Sequence, residues 1–283
     1  MKNFPLSNGI YVPALGYGTF QITNTALCEQ CVESAINAGY RLIDTAASYK
    51  NEEAVGRVIR NSGIPREEIS VTTKLWIQDA GYDNTLSAFD TSLKKLGLDY
   101  IDIYLIHQPF GDIYGAWRAM ERLYQEGAVR AIGVSNFSPE RLVDLCMNHE
   151  IKPMVNQVEI HPFYQQGEAL KVMRDYGVIP QAWGPFSEAQ RDIFHHKTLV
   201  KIAKKHGKTT AQVILRWHYQ RGVPAIPKTI HKDRMEENLN IFDFALTDKE
   251  MESIAAMDIG HSEIIDHRCY CTARQLNSVK IHA

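Results

Sequence analysis

Apolar residues recur along the chain in two alternating rhythms, one at helical spacing and one as short unbroken runs. Between Thr25 and Ala38, the residues Cys28, Cys31, Val32, Ala35 and Ile36 fall on one stripe of a helix. Asn51 precedes Glu52 and Glu53, acids suited to the positive end of a helix dipole. Val55, Val58 and Ile59 form the inward face, and Gly63 closes the element. Leu86, Phe89, Leu93 and Leu96 repeat at the same spacing and run into Gly97, which is free to take the left-handed capping conformation. Ser138-Pro139-Glu140 reads as cap, first-turn proline and acid ahead of Leu142, Leu145 and Cys146. Thr209-x-x-Gln212 and Thr247-x-x-Glu250 are capping boxes, the second opening a helix that carries Met251, Ile254 and Ala255.

Between the helices lie eight strand-like runs: 15–18, 41–44, 69–73, 101–106, 129–134, 155–159, 178–182 and 225–227. Strands alternating with helices at this pitch imply a parallel sheet, because each right-handed crossover returns the chain to the same sheet. Eight such units in 283 residues predict an α/β fold of the (β/α)8 barrel type. Ahead of them, 4–6 and 10–12 flank Ser7-Asn8-Gly9, a turn whose Asn-Gly pair accepts positive φ; this predicts a hairpin closing the barrel floor. No linker-like stretch divides the chain, so residues 1–283 are expected to form a single domain.

Composition narrows the class of partner. The chain is 45% hydrophobic and 23% charged, with 31 basic against 33 acidic residues and no long block of one sign. Nucleic-acid binding normally leaves a basic footprint and is not expected. No run of 18 or more apolar residues and no signal-peptide core occurs, so a cytoplasmic protein without membrane contact is expected, as a monomer or weak homo-oligomer. Five cysteines are too few for a disulfide framework, and reduced thiols are the expected state. Cys28 and Cys31 read as small apolar residues of a helix rather than a redox pair, and Cys269 and Cys271 as thiols on a C-terminal loop; no metal site is expected.

In a (β/α)8 barrel, polar residues at the C-terminal ends of strands face the active site. Asp44, Lys74 and His107 each follow an apolar run, and Tyr49 lies five residues past Asp44. Alone, each would be an ordinary cap or ion pair. Together at one barrel mouth they form a proton-transfer device, since a buried Lys needs a partner and Asp44 supplies it. A phenol with an ordinary pKa of about 10 is a poor proton donor at neutral pH, and an adjacent ammonium is expected to lower it. With His107 holding a substrate oxygen and Tyr49 acting as general acid, the set suits carbonyl reduction, provided a cofactor supplies hydride. A lysine at a strand end also suits a Schiff-base aldolase, the competing enzymatic reading.

The segment Gly39-Tyr40-Arg41-Leu42-Ile43-Asp44-Thr45-Ala46, continuing through Tyr49, Asn51, Glu52 and Gly56, resembles the first signature of the aldo-keto reductases. Further matches follow in order: 74–76, 107–109, 133–137, 156–159 and 226–229, leading to Arg234, Glu237 and Asn238. The resemblance implies the catalytic tetrad Asp44, Tyr49, Lys74 and His107. It also implies a nicotinamide dinucleotide lying across the barrel mouth without a Rossmann fingerprint. By the same resemblance, Thr19 and Asp44 belong to the cofactor site, Ser135, Asn136 and Gln157 hold the carboxamide, and Trp183 stacks on the nicotinamide. Gly184, Pro185, Phe186 and Ser187 resemble the loop that covers the pyrophosphate, and Glu237 and Asn238 match adenine contacts.

Lys228, Thr229 and Arg234 bring two cations and a hydroxyl to a probable helix start, a good place for an extra ribose phosphate, so NADPH is expected over NADH. Phe20, Trp76 and Phe110, with His107, resemble the substrate pocket of an enzyme acting on a small carbonyl compound. Proteins of this fold also serve as cofactor-sensing regulators, an alternative that the intact tetrad argues against. The chain departs from the family pattern at Lys50, Thr229 and Trp183, where glycine, serine and tyrosine are commoner, and its tail from Glu263 onward matches no pattern.

Overall fold

The protein is described here by a computed structural model covering residues 2–283. Strands β1 (Asn3–Pro5) and β2 (Tyr11–Pro13) pair antiparallel, Asn3 opposite Pro13, and form the expected hairpin. Only Gly9 of its turn takes a positive φ, 83°. Asn8 instead spends its side chain on the barrel, donating to the Arg130 carbonyl at 2.9 Å, while Leu6 and Val12 are buried beneath.

The barrel strands follow: β3 (Tyr17–Gly18), β4 (Leu42–Asp44), β5 (Ser70–Leu75), β6 (Ile101–Ile106), β7 (Val129–Ser135), β8 (Val155–Glu159) and β9 (Ile179–Trp183). All seven run parallel and in sequence order. The eighth run is reduced to bridges at Ala225, which reach Leu15 on one side and Ala182 on the other. Ala225 N donates to Ala14 O and Ile226 N to Ala182 O, both at 3.0 Å, so hydrogen bonds on both flanks close the barrel. Pro224 and Pro227 flank this segment and have no N–H to give, which keeps the eighth strand short.

The helices of the outer layer are α1 (Thr25–Ala38), α2 (Glu52–Asn61), α3 (Tyr82–Leu96), α4 (Ile113–Gln125), α5 (Pro139–Asn148), α6 (Gly167–Asp175), α7 (Lys197–His206) and α8 (Thr210–Gln220). After the barrel closes come α9 (Lys232–Leu239), α10 (Asp248–Ala255) and α11 (Tyr270–Ser278). Both capping boxes form, on α8 and α10. Asn51 and Ser138 stand at the predicted starts of α2 and α5, but neither side chain caps its helix. Asn51 donates instead to the Thr19 and Ile22 carbonyls, tying the loop after β3 to the loop after β4. Gly56 lets α2 meet α3 closely, since a Cβ there would lie 2.0 Å from the Leu96 carbonyl oxygen.

Cys28, Cys31 and Cys146 are buried free thiols, and burial pushes Cys28 up to about 12. The other two cysteines correct the expectation of reduced thiols on a loop: Cys269 and Cys271 are joined by a disulfide, at the start of helix α11. No helix among the described residues is long and apolar enough to cross a membrane.

Candidate active site

Parallel strands deliver their last side chains to one rim of the barrel, and here Asp44, Lys74 and His107 arrive from β4, β5 and the residue after β6. Lys74 lies within β5 rather than beyond it, so its side chain is fully buried. Its Nζ donates to Asp44 Oδ1 at 2.5 Å and to the Thr45 carbonyl at 2.9 Å, and lies 3.5 Å from the Tyr49 hydroxyl. The second Asp44 oxygen accepts from Gln157 Nε2 at 2.7 Å. Asp44 and Tyr49 thus meet at one ammonium, and His107 joins them through Tyr49, its ring edge-on with centroids 5.6 Å apart.

The electrostatics differ from expectation at Tyr49. Burial and the Asp44 carboxylate hold its hydroxyl well above the usual phenol range. Burial is the larger cause, and the Asp44 carboxylate offsets part of what the nearby Lys74 ammonium would contribute. Burial lowers Lys74 while Asp44 opposes the shift. His107 is held well below the ordinary imidazole value by burial, with Lys74 and His267 acting in the same direction, so its ring is neutral at physiological pH. Its Nδ1 lies 3.3 Å from Ser48 Oγ.

A cavity of about 920 Å³ opens beside these groups. Tyr49, His107, Phe20, Trp76, Ser135, Asn136, Gln157, Trp183 and the segment Gly184 to Phe186 line it. Asn136, held at φ 65°, receives the Trp183 indole N–H on Oδ1 at 2.8 Å and donates to the His107 carbonyl at 3.0 Å. Ser135 Oγ donates to the Gln157 carbonyl at 2.7 Å. A second cavity of about 470 Å³ shares Phe186, Phe194, Lys228 and Arg234 with the first and adds Thr229, Glu237 and Asn238. Lys228 and Arg234 are exposed, and neither takes part in an ion pair among the described residues. Two free cations at the end of an extended groove make a site for an anion.

Four expected residues, Thr19, Ser187, Phe110 and Lys74, line neither cavity. The Thr19 hydroxyl is buried and donates to the Asp44 carbonyl at 2.9 Å, so it holds the strand end from behind. Ser187 is buried beneath its loop, and Phe110 lies outside the groove wall. Lys74 is itself shielded from the cavity by its partners, which removes the geometry a Schiff-base aldolase would require. The tail, which matches no sequence pattern, adds Ile264, Ile265, His267, Leu276 and Val279 to the wall, none of them legible as site residues in the sequence. Trp76 Nε1 reaches across 203 positions to the Val279 carbonyl at 2.9 Å, a contact with no signature in local spacing.

The model of the Aldo/keto reductase family matches residues 14–259. The chain is 48% identical over 254 residues to glyoxal reductase of Bacillus subtilis (strain 168), covering 89% of this chain and 91% of that protein. It is 47% identical over 251 residues to 9,11-endoperoxide prostaglandin H2 reductase of Trypanosoma cruzi (strain CL Brener), covering 88% and 89%. Among solved structures, an aldo-keto reductase from a Medee basin deep-sea metagenome library superposes with a TM-score of 0.92 at 44% identity, covering 94% of this chain and 98% of that one. The aldo-keto reductase of Bombyx mori in complex with NADP superposes with a TM-score of 0.88 at 35% identity, covering 94% and 95%.

Proposed function

The chain belongs to the aldo/keto reductase family, and from that premise we propose how its cavity carries out NADPH-dependent reduction of a small carbonyl compound to an alcohol. The observation that carries the reading is the Lys74 ammonium set between the Asp44 carboxylate and the Tyr49 hydroxyl at the cavity edge.

The groove suits the cofactor. Gln157 and Asn136 offer amide groups to a carboxamide, and the Trp183 indole faces the cavity as a flat surface for a flat ring. Gly184, Pro185 and Phe186 wall the middle of the groove, while Lys228, Arg234 and Thr229 suit a ribose phosphate beside Glu237 and Asn238. Ser187 supports that loop, and Thr19 acts through Asp44. NADPH, when bound, supplies the hydride.

The remaining work falls to the chain. In the tautomer in which Ser48 Oγ donates to Nδ1, the neutral His107 ring carries its proton on Nε2 and can hold the substrate oxygen. Tyr49 keeps its proton until the oxygen gains charge, then transfers it. The phenolate that forms lies 3.5 Å from the Lys74 ammonium, which stabilises it in the transition state more than in the ground state. Asp44 and Gln157 fix the ammonium in place, and the proton lost by Tyr49 is replaced from water. Phe20 and Trp76 bound the substrate end with apolar rings.

We read the protein as a monomer or weak homo-oligomer. The hairpin and barrel share a continuous core and the tail is hydrogen-bonded to the barrel at Glu159 and Trp76, so residues 1–283 are read as one domain. We read the setting as cytoplasmic on the three buried free thiols, with the Cys269–Cys271 disulfide as the feature that speaks against it. The test is NADPH consumption with simple aldehydes, together with alcohol formation in equal amount. Absence of turnover across aliphatic, aromatic and dicarbonyl substrates would instead favour a cofactor-sensing protein.

A further inference from the structure

Cys269 and Cys271 lie beyond residue 259, outside the family match, and are joined by a disulfide across a single intervening residue. Cys28, Cys31 and Cys146 are buried, so the pair is the sulfur that solvent reaches. Cys271 is exposed, Cys269 is half-buried, and Tyr270 between them is 84% exposed. A disulfide stabilises a fold chiefly by closing a loop, and the gain shrinks with loop length, so this bond is a weak staple. The tail is fastened elsewhere: before the pair Ser262 Oγ donates to Glu159 Oε2 at 2.7 Å, and after it Trp76 Nε1 donates to the Val279 carbonyl at 2.9 Å. Exposed disulfides that hold little together are the readily exchanged ones. The two sulfurs also differ in place. Cys269 caps the N-terminus of α11, its Sγ accepting from the Cys271 amide at 3.3 Å. The positive end of the helix favours a thiolate there, which makes Cys269 the leaving group and the exposed Cys271 sulfur the one attacked.

We propose that Cys269 and Cys271 form a reversible dithiol–disulfide centre, opened by small dithiols and closed by small organic disulfides. In opening, one thiolate of the dithiol bonds to the Cys271 sulfur, the Cys269–Cys271 bond breaks, and Cys269 leaves as a thiolate. The second thiol of the reagent then attacks its own bound sulfur, releases Cys271 and closes the reagent as a cyclic disulfide. Two electrons and two protons pass to the protein, and the dithiol is oxidised. In closing, the Cys271 thiolate attacks a glutathione disulfide and releases one glutathione. Cys269 then displaces the second glutathione from Cys271 and restores the bond. Because the resolving thiol stands two residues away, a glutathione adduct on Cys271 is short-lived. A transient disulfide of this kind is compatible with a cytoplasmic setting, where a permanent one is out of place. The centre uses none of the groups that serve carbonyl reduction, so the two activities stand or fall separately.

The test treats the native full-length protein with glutathione disulfide or with dithiothreitol, removes the reagent, labels with a maleimide and counts labels by intact mass, all without denaturant. The expected result is no label after glutathione disulfide and two labels, mapped to Cys269 and Cys271, after dithiothreitol, with the change running in either direction on the same sample. In Cys269→Ser, glutathione disulfide should leave a lasting glutathione adduct on Cys271 that dithiothreitol removes, whereas the native protein should accumulate none. Two labels after glutathione disulfide would show that the pair does not close and overturn the proposal. So would a pair that resists dithiothreitol until urea is added, which is the behaviour of a fixed structural cross-link. A glutathione adduct that persists equally in the native protein would overturn the resolving role of Cys269.

Discussion

Lys74 donates to Asp44 at 2.5 Å with the lysine side chain wholly out of water and the aspartate nearly so. A buried ion pair of this kind survives only when both members remain. Lys74→Met should destabilise the protein by about 3–5 kcal/mol, read from urea denaturation, because Asp44 keeps its charge and loses its partner. Adding Asp44→Asn should recover more than half of that loss, since the amide carries no charge and can still accept from Gln157. Strict additivity of the two losses would show that the pair is not coupled.

Tyr49→Phe removes the proton donor without emptying the cofactor groove. The expected outcome is a fall in kcat of about 10²–10⁴-fold with little change in NADPH affinity, measured by quenching of tryptophan fluorescence. Near-native turnover would assign the proton to another group.

Among the described residues Lys228 and Arg234 have no carboxylate partner, so their charges are available to a phosphate. Replacing each with Ala should weaken NADPH binding about tenfold or more, the range expected for loss of a charge-assisted hydrogen bond of about 1.5–3 kcal/mol. NADH, which lacks the ribose phosphate, should be weakened far less. Equal weakening of both cofactors would contradict the assignment.

The acid side of the pH profile is set by neutral imidazoles. The ordinary imidazole value is about 6.5, and burial holds His107 and His218 well below it and His267 at about 4. Because the folded values are depressed, kcat/KM should show no inflection near pH 6.5. The stability these groups contribute is full above about pH 6.5 and drains as pH falls toward their folded values, since the unfolded chain then binds more protons. Urea midpoints should therefore decline below pH 6.5, and a midpoint that rises on acidification would reverse the sign.

Lys50 follows Tyr49 at φ 58°, in the left-handed region that favours glycine. A side chain there costs about 1–2 kcal/mol, partly offset by the greater freedom glycine has in the unfolded chain. Lys50→Gly should stabilise by up to about 1 kcal/mol, a rise in Tm of about 2–4 °C. A lower Tm would mean that Lys50 makes a stabilising contact elsewhere.

Some of this protein was written in local sequence. Helical spacing and end signals located α1, α3, α5, α8 and α10, and the eight apolar runs each became a barrel segment, because periodicity reports which face a short element must bury. The tetrad was legible for a related reason: a parallel barrel sends every strand end to one rim, so side chains far apart in sequence must converge. Local signals failed where a side chain had a distant rival partner. Asn51 sits at a helix start yet bonds to Thr19 and Ile22, and Thr19 turns its hydroxyl to the Asp44 carbonyl instead of the groove. The raised pKa of Tyr49 follows from burial and from the nearby Asp44 carboxylate, neither of which residue identity specifies. The tail has neither barrel periodicity nor a matching pattern, and its place over the cavity depends on Ser262 meeting Glu159 and Val279 meeting Trp76. Sequence thus determined the elements and the rim on which chemistry gathers, since both follow from short-range burial. Tertiary packing alone decided which donors are already taken and what roofs the substrate, since each hydrogen bond excludes its competitors only once the chain has folded.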